Sequence, residues 1–224
     1  MIRIVIALTF FNLSYALNLQ DKLDAKKNSG EMTPERAKIK KIFKAATNEL
    51  KDSGLEKKAL KKSVKAPDVL IGEKKLSEYL KEGPVILKFY RGHWCPYCMI
   101  ELQEYQSYLQ KFKAKKATLI GLVPDLKKYI DKTKKKFNLT FPIYRDANHR
   151  IAKKFGLTFR VREDVVGIYK KFDIDLEKSQ GNTRNELAMP GTYVINQNGD
   201  VVYAFYDADY TKRADPEEVL AALK

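Results

Sequence analysis

The sequence predicts an α/β domain in which a central mixed sheet is flanked by helices, with a helical extension at the N-terminus. Two observations support this fold class. From about residue 85, apolar runs rich in strand-forming residues alternate with amphipathic helical segments, an order that gives parallel strands covered by helices. Later in the chain, Asn198-Gly199 separates two further strand-like runs and marks a hairpin, which adds an antiparallel edge.

The first sixteen residues have the pattern of a secretory signal peptide. Arg3 precedes an apolar run from Ile4 to Phe11, and the small-x-small ending Ser14-Tyr15-Ala16 follows. The apolar run is shorter than the about 20 residues that span a membrane. An uncleaved anchor and a buried N-terminal helix are the alternatives. We expect cleavage after Ala16, export to the periplasm or the medium, and no stable membrane insertion of the mature chain.

An extension precedes the main domain. Residues 17–32 are polar, and we expect them to be poorly ordered. A helix begins at Thr33-Pro34, because Thr is a good N-cap and Pro suits the first helical position. Gly54 ends this helix, and a second short helix is expected from Leu55 to about Lys62. The predicted organisation is therefore a signal peptide (1–16), a helical extension (17–64) and a main domain (65–224).

The main domain is predicted to alternate strands and helices. Strands are expected at 85–90, 117–123 and 141–144, and helices at 76–80, 96–112, 125–137 and 148–155. Residues 163–172 are expected to be helical and 173–186 to form a loop insertion. Two strands at 192–195 and 201–206 make the hairpin, and Asp215-Pro216 starts a terminal helix. This order is the layout of a thioredoxin-like sheet.

The charge of the chain is strongly basic, with 43 Lys and Arg against 28 Asp and Glu and a formal net charge of +15. The lysines are spread over the predicted helix faces, and neither a nucleic-acid-binding motif nor an Arg-rich arm accompanies them. We therefore expect a solvated, lysine-rich surface and no nucleic-acid partner.

The two cysteines of the chain, Cys95 and Cys98, stand one turn apart at the start of a helix that follows a buried strand. Pro96 costs no hydrogen bond at the first helical position, and the first-turn N–H groups favour a thiolate at Cys95. A disulfide across so short a loop stabilises a fold little, so the spacing indicates redox chemistry. We expect Cys95 to be an exposed attacking thiolate. Cys98, one turn deeper, would resolve a mixed disulfide or a sulfenic acid on it.

A Cys-x-x-Cys pair can also be half of a zinc site. The sequence has no second pair of cysteines, and its histidines are His93 and His149, so four good zinc ligands are hard to assemble. We therefore expect no metal and no other cofactor in the catalytic role.

Residues around the cysteines are candidates for supporting roles. Arg91 would lower the pKa of Cys95, and Trp94 would shield the sulfur pair and pack against the sheet. His93 is either a general base near Cys95 or a surface turn residue. Glu101 and Glu104, further along the helix, are expected to face solvent.

The segment FYRGHWCPYC at 89–98, with Glu101-Leu102, resembles the peroxiredoxin-like branch of the alkyl hydroperoxide reductase/thiol-specific antioxidant family. Residues 190–195 and 213–220 resemble the C-terminal half of that branch, and the similarity covers about residues 64–224. The resemblance implies a thioredoxin-like fold, a peroxidatic cysteine at Cys95 and a thioredoxin-like electron donor. The fold resemblance also implies that Pro190 faces the cysteines through a cis peptide bond.

Three positions depart from the pattern of typical peroxiredoxins. Gly92 stands where they carry Thr or Ser, Arg91 replaces a proline, and Pro190 matches their active-site arginine. Pro190 is instead a thioredoxin feature, and Pro96-Tyr97 is the dipeptide that glutaredoxins carry between their cysteines.

Three functions follow as hypotheses. The first is a thiol-dependent antioxidant peroxidase that reduces peroxides through Cys95, with Cys98 as the resolving cysteine. The alternative is a thioredoxin/glutaredoxin-like thiol–disulfide oxidoreductase acting on exported proteins. A third is a Cu(I)-binding envelope protein that uses the two thiolates and His93. The sequence leaves the electron donor, the reduction potential and the oligomeric state open.

Overall fold

A computed structural model describes residues 17–223, and the predicted signal peptide lies outside the described residues. The helices are α1 (Leu19–Asn28), α2 (Pro34–Asp52), α3 (Leu55–Lys58), α4 (Leu76–Leu80), α5 (Pro96–Ser107), α6 (Leu109–Ala114), α7 (Lys127–Lys136), α8 (Arg150–Lys154), α9 (Glu163–Lys171), α10 (Leu176–Gln180) and α11 (Pro216–Ala221). The strands are β1 (Leu70–Ile71), β2 (Lys74–Lys75), β3 (Val85–Phe89), β4 (Thr118–Val123), β5 (Ile143–Arg145), β6 (Thr158–Arg160), β7 (Glu186–Ala188), β8 (Gly191–Ile195) and β9 (Val201–Tyr206). None of these helices has the length and apolar character needed to cross a membrane.

The central sheet has five strands in the order β5-β4-β3-β8-β9. Strands β3, β4 and β5 run parallel, whereas β8 is antiparallel to β3 and β9 is antiparallel to β8. The predicted mixed sheet, with a parallel core and a hairpin edge, is thereby confirmed. Two small antiparallel sheets, β1-β2 and β6-β7, are additions that the sequence did not predict.

Strand β3 lies at the centre of the sheet, and all five of its residues are buried. Its side chains alternate between the two faces of the sheet. Ile86 belongs to an apolar cluster that includes residues of α1, α5, α6 and α11, and Leu87 belongs to a second cluster that includes residues of α3 and α4. The helices therefore cover both faces of the sheet. The turn that follows β3 lies at the middle of one edge of the sheet, because β3 is the central strand.

Residues 17–32 are not the poorly ordered segment that their polarity predicted. Asn18 and Asp21 form a capping box, each side chain accepting the other's backbone N–H, which starts α1. Leu19 and Leu23 are i, i+4 neighbours, and both are buried in the cluster that holds α5. Two buried leucines and a capping box thus dock a helix whose other residues are mostly polar.

Two further helix predictions need correction. The loop expected at 173–186 contains α10, whose N-cap Asp175 accepts the N–H of Lys178 at 2.9 Å. The single helix expected at 96–112 is broken at Tyr108 into α5 and α6. Helix α9 and the terminal helix α11 are present as predicted.

Helix α2 lies over the edge of the sheet at which β3 ends. It begins at Pro34 after the Thr33 N-cap, as predicted, and none of its residues is fully buried. The ring of Phe43 packs 5.9 Å from the ring of Tyr169 and 6.2 Å from that of Tyr210. These two tyrosines also border the side chain of Arg91, so the extension and the main domain share the surroundings of the candidate site.

Candidate active site

The cysteines lie at the start of α5, just after the turn that follows the central strand β3. Cys95 is the N-cap residue of that helix, and its Sγ accepts the backbone N–H of Cys98 at 3.3 Å. Pro96 occupies the first helical position, where its lack of an N–H group leaves no hydrogen bond unmade. The thiol at the N-cap thus takes the position that a Ser or Asp side chain takes in an ordinary helix.

Both cysteines are free thiols and both are buried, with 1% of Cys95 and 0% of Cys98 exposed. The expectation of an exposed Cys95 is therefore wrong. The half-buried rings of Trp94 and Tyr97 pack against the apolar cluster that contains the two sulfurs. A substrate reaches Cys95 only when side chains at this surface move.

A continuous chain of buried charged groups runs from Cys98 into the sheet. Both terminal nitrogens of Arg213 lie 3.7 Å from Cys98 Sγ, and Arg213 Nη1 donates to Glu101 Oε2 at 2.7 Å. The other oxygen of Glu101 accepts a hydrogen bond from Lys88 Nζ, which also donates to Thr192 Oγ1 at 2.5 Å. Lys88 is 1% exposed and Glu101 is fully buried. The expectation that Glu101 faces solvent is wrong, because it stands three positions after Cys98 and therefore lies on the same inner face of α5.

The two thiols differ in pKa because their surroundings differ. Burial raises the pKa of Cys95 well above its usual value, and the hydrogen bond and charge of Cys98 raise it further. Burial alone would also raise the pKa of Cys98. The hydrogen bond with Cys95 and the charges of Arg213 and Arg91 outweigh burial and lower it to about 6. These surroundings favour the thiolate on Cys98 over Cys95, the opposite of the low Cys95 pKa expected from its place at the helix N-terminus.

Arg91 lies on the Cys95 side of the pair, inside a cage of aromatic rings. Its guanidinium carbon is 4.3 Å from the ring centre of Tyr210 and 4.9 Å from that of Trp94. Arg91 also donates a hydrogen bond to the hydroxyl of Tyr169. It borders a mostly apolar cavity of about 70 Å³ between α2 and α9, which is large enough for a small ligand or a few waters. No carboxylate pairs with Arg91 among the described residues, so its charge is available to an anion.

The turn before Cys95 is fixed by two close approaches. A Cβ on Gly92 would lie 2.4 Å from Trp94 Nε1, so a Thr or Ser at this position would displace the indole. His93 donates its backbone N–H to Asp125 Oδ2 at 2.7 Å, and its Nδ1 lies 2.9 Å from the same oxygen. The His93 ring stacks on Tyr129 at 4.2 Å. Of the two roles considered for His93, these contacts fit that of a turn residue.

Pro190 borders the same cavity as Arg91. It precedes Gly191, which pairs with Phe89 in the sheet, so it stands at the strand edge from which the cysteine turn departs. The expected cis bond is wrong, because no peptide bond within residues 17–223 is cis. Cys95 does not line this cavity. Pro190 and Cys95 each lie near Arg91, but they do not share a pocket.

No group of three or more His, Cys, Asp or Glu side chains in the described part of the chain is arranged to hold a metal ion. His93 is engaged with Asp125 and Tyr129. The cysteine pair faces arginines, and a cationic environment opposes a further cation such as Cu(I).

Several site residues were not singled out from the sequence. Lys88 carried a signal, because a lysine inside the apolar run of a buried strand needs a charged partner. Arg213 lay in a segment that matched the family pattern, yet no role was assigned to it. Tyr169 and Tyr210 come from a helix and a loop far along the chain, and only the tertiary fold brings them to Arg91.

The sequence profile of the AhpC/TSA family matches residues 56–204. Peroxiredoxin Bcp of Bacillus subtilis is 34% identical over 98 residues, which cover 42% of this chain and 62% of that protein. The chain thus spans less than two thirds of the length of that relative. Chloroplastic peroxiredoxin Q of Sedum lineare is 24% identical over 188 residues, covering 81% of this chain and 87% of the relative.

Solved structures agree in fold. Peroxidoxin BcpB from Mycobacterium tuberculosis superposes with a TM-score of 0.56 at 21% identity, covering 73% of this chain and 96% of that one. Peroxiredoxin Q from Xanthomonas campestris gives a TM-score of 0.52 at 19% identity, with 74% and 96% covered. The predicted thioredoxin-like architecture is confirmed by these matches.

The unequal pKa values predict an acidic titration that belongs to Cys98. In the reduced protein, one thiolate should form as the pH rises through about 6, read from its ultraviolet absorbance. Cys98→Ser should abolish this titration, and Cys95→Ser should retain a thiolate. Because the pKa of Cys98 is lower in the folded protein than in the unfolded chain, reduced protein should lose stability as the pH falls through that value. An acidic titration that disappears in Cys95→Ser and persists in Cys98→Ser would contradict the assignment.

Proposed function

The chain belongs to the AhpC/TSA family, and on this basis we propose that it is a peroxiredoxin that reduces peroxides through Cys95, with Cys98 as the resolving cysteine. One observation carries the assignment. A free thiol at a helix N-cap stands beside a second free thiol one turn deeper, with a buried arginine on either side. Relatives named as peroxiredoxins support the reaction class.

The first step is attack of Cys95 on the peroxide. Cys95 transfers its proton to the Cys98 thiolate, and its sulfur attacks one oxygen of the O–O bond. The S–O bond forms as the O–O bond breaks, leaving a sulfenic acid on Cys95 and an alkoxide or hydroxide. The proton held by Cys98 then passes to this leaving group, which departs as an alcohol or water. Cys98 therefore serves as the base of the first step.

The second step closes the disulfide. The regenerated Cys98 thiolate attacks the sulfur of the sulfenic acid, and the hydroxide that leaves takes a proton to become water. The two electrons lost by the cysteine pair have reduced one peroxide. We propose that a dithiol of a thioredoxin-like partner returns these electrons by thiol–disulfide exchange, in which the partner's disulfide forms as the Cys95–Cys98 bond breaks.

Arg91 supplies the charge that the first step needs. Its guanidinium is buried and faces the Cys95 side of the pair. A donor at this place can hold the peroxide and stabilise the negative charge that develops on the leaving oxygen. The arginine that typical peroxiredoxins carry at the position of Pro190 is thus replaced by one from the turn before Cys95.

We further propose that the protein is exported and that residues 1–16 are its signal peptide. The support is the order of Arg3, the apolar run and the small-x-small ending at Ala16. Intact mass of the protein recovered from an export-competent host should correspond to residues 17–224. Recovery of the full chain from the cytoplasm alone would contradict export.

The peroxidase proposal predicts unequal effects of the two cysteine substitutions. Residues 17–224 should consume hydrogen peroxide or an organic hydroperoxide with a dithiol reductant. Cys95→Ser should lower the rate at least about a hundredfold, because the nucleophile is lost. Cys98→Ser should stop turnover. Because it also removes the base of the first step, Cys95 should form a sulfenic acid that a specific reagent traps, but more slowly than the first step runs in the unsubstituted protein.

The same preparations separate the peroxidase from the alternative oxidoreductase. A thiol–disulfide oxidoreductase would reduce a protein disulfide quickly, and its Cys98→Ser variant would accumulate a mixed disulfide through Cys95. If Cys95 reacts with peroxide no faster than a free thiol in solution does, the peroxidase proposal fails.

A further inference from the structure

The buried lysine of the central strand has no role in the chemistry described so far. Lys88 points into the apolar core beneath α5, with its ammonium group 4.5 Å from the ring centre of Tyr105. Its ion-pair partner is Glu101, and its other hydrogen-bond acceptor is Thr192 Oγ1. A buried lysine costs several kcal/mol unless its charge is paired, and a purely apolar residue would fill the same space.

The charges in this chain of groups do not cancel among themselves. Lys88 and Arg213 are cationic, and the single carboxylate of Glu101 lies between them, with both ion pairs almost completely withdrawn from water. The three groups therefore carry one uncompensated positive charge. Cys98 Sγ stands at the open end of the chain, within 3.7 Å of Arg213. A thiolate there makes the buried group of four neutral.

We propose that Lys88 is a positioning residue which, through Glu101 and Arg213, supplies the positive charge that holds Cys98 as a thiolate. Lys88 touches neither sulfur. Without its charge, Glu101 and Arg213 would neutralise each other, and a thiolate at Cys98 would be a buried anion with no net counter-charge. Glu101 and Arg213 alone would form a neutral pair beneath the active site, and Lys88 gives the group of three a net positive charge.

The other titratable groups around Cys98 do not replace this charge. Arg91 faces the pair from the Cys95 side and is surrounded by aromatic rings. Burial holds the pKa of Tyr90, at the end of β3, well above its usual value, and burial also raises the pKa of Tyr169 on α9. Both tyrosines are therefore neutral at physiological pH. Burial lowers the pKa of Lys88 while Glu101 opposes this effect, so the ammonium form depends on its partner.

The proposal predicts opposite shifts from two substitutions in one ion pair. Lys88→Met removes the excess positive charge, so the fraction of Cys98 present as thiolate at neutral pH should fall about tenfold. Glu101→Gln removes the carboxylate that neutralises Arg213, so the thiolate should persist to more acidic pH than in the unsubstituted protein even where Lys88 loses its proton. Both are read from the ultraviolet absorbance of the thiolate as a function of pH.

Two controls separate electrostatics from packing. Lys22→Met breaks the ion pair of Lys22 with Glu104, which joins α1 to α5 and is partly exposed. It should leave the titration unchanged. Thr192→Val removes the second acceptor of Lys88 but keeps its charge, and should change the titration far less than Lys88→Met. If Lys88→Met does not fold, Lys88→Gln, which keeps a donor for Glu101 but carries no charge, should show the same fall in thiolate; an unchanged titration in this variant would overturn the proposal.

Shifts of the same sign in Lys88→Met and Glu101→Gln would overturn the proposal, since general disturbance of the site moves both alike. An unchanged titration in folded Lys88→Met would overturn it as well. The inference builds on the redox role of the pair, but the titration uses no peroxide. Its failure is therefore distinguishable from failure of the peroxidase proposal.

Equilibration with glutathione gives a second measurement. Two glutathione thiols form glutathione disulfide as the Cys95–Cys98 bond breaks. One proton is then retained on Cys95, and the other is released because Cys98 stays a thiolate. Loss of the thiolate makes the reduced form less favourable, so Lys88→Met should shift the equilibrium about tenfold towards the protein disulfide at neutral pH. A shift towards the dithiol would contradict the proposal.

Discussion

The contact between the Arg213 guanidinium and Cys98 Sγ is the interaction on which the site depends. Two buried thiols in an apolar cluster would both remain protonated, because burial disfavours the anion. The hydrogen bond with Cys95 and the charge of Arg213 together reverse this for Cys98, and Glu101 holds Arg213 in place. The fold then supplies the rest. Cys95 sits at the N-cap with Cys98 one turn deeper, so a thiolate and a thiol share one proton at the end of the central strand.

The proposed roles of the two sulfurs rest on this asymmetry. The surroundings favour a thiolate on Cys98, and Cys95 is the sulfur nearer the surface turn, so we propose the deeper residue as the base and the resolving group for the other. Arg91 stands on the opposite side, where the aromatic cage leaves its charge for a substrate. The two arginines therefore have different positions: Arg213 lies beside Cys98, where it favours the thiolate, and Arg91 faces the cavity.

The sequence predicted the fold well because its patterns are local. The apolar run at 85–90, the Asn198-Gly199 turn and the capped terminal helix each specify their element within a few residues. Burial at the site was not predictable in the same way. Glu101 read as a solvent-facing helix residue, since its partners Lys88 and Arg213 lie 13 and 112 residues away along the chain. Long-range pairing of charges leaves no periodic signal in a sequence.

The central claim is that the resting charge of the reduced pair lies on Cys98. Carbon-13 labelling of the cysteine Cβ atoms lets nuclear magnetic resonance follow each thiol separately in the unsubstituted, reduced protein. We expect the Cys98 resonance to move as the pH passes through about 6, while the Cys95 resonance stays in place until alkaline pH. A Cys95 resonance that titrates first, with Cys98 unchanged, would contradict it.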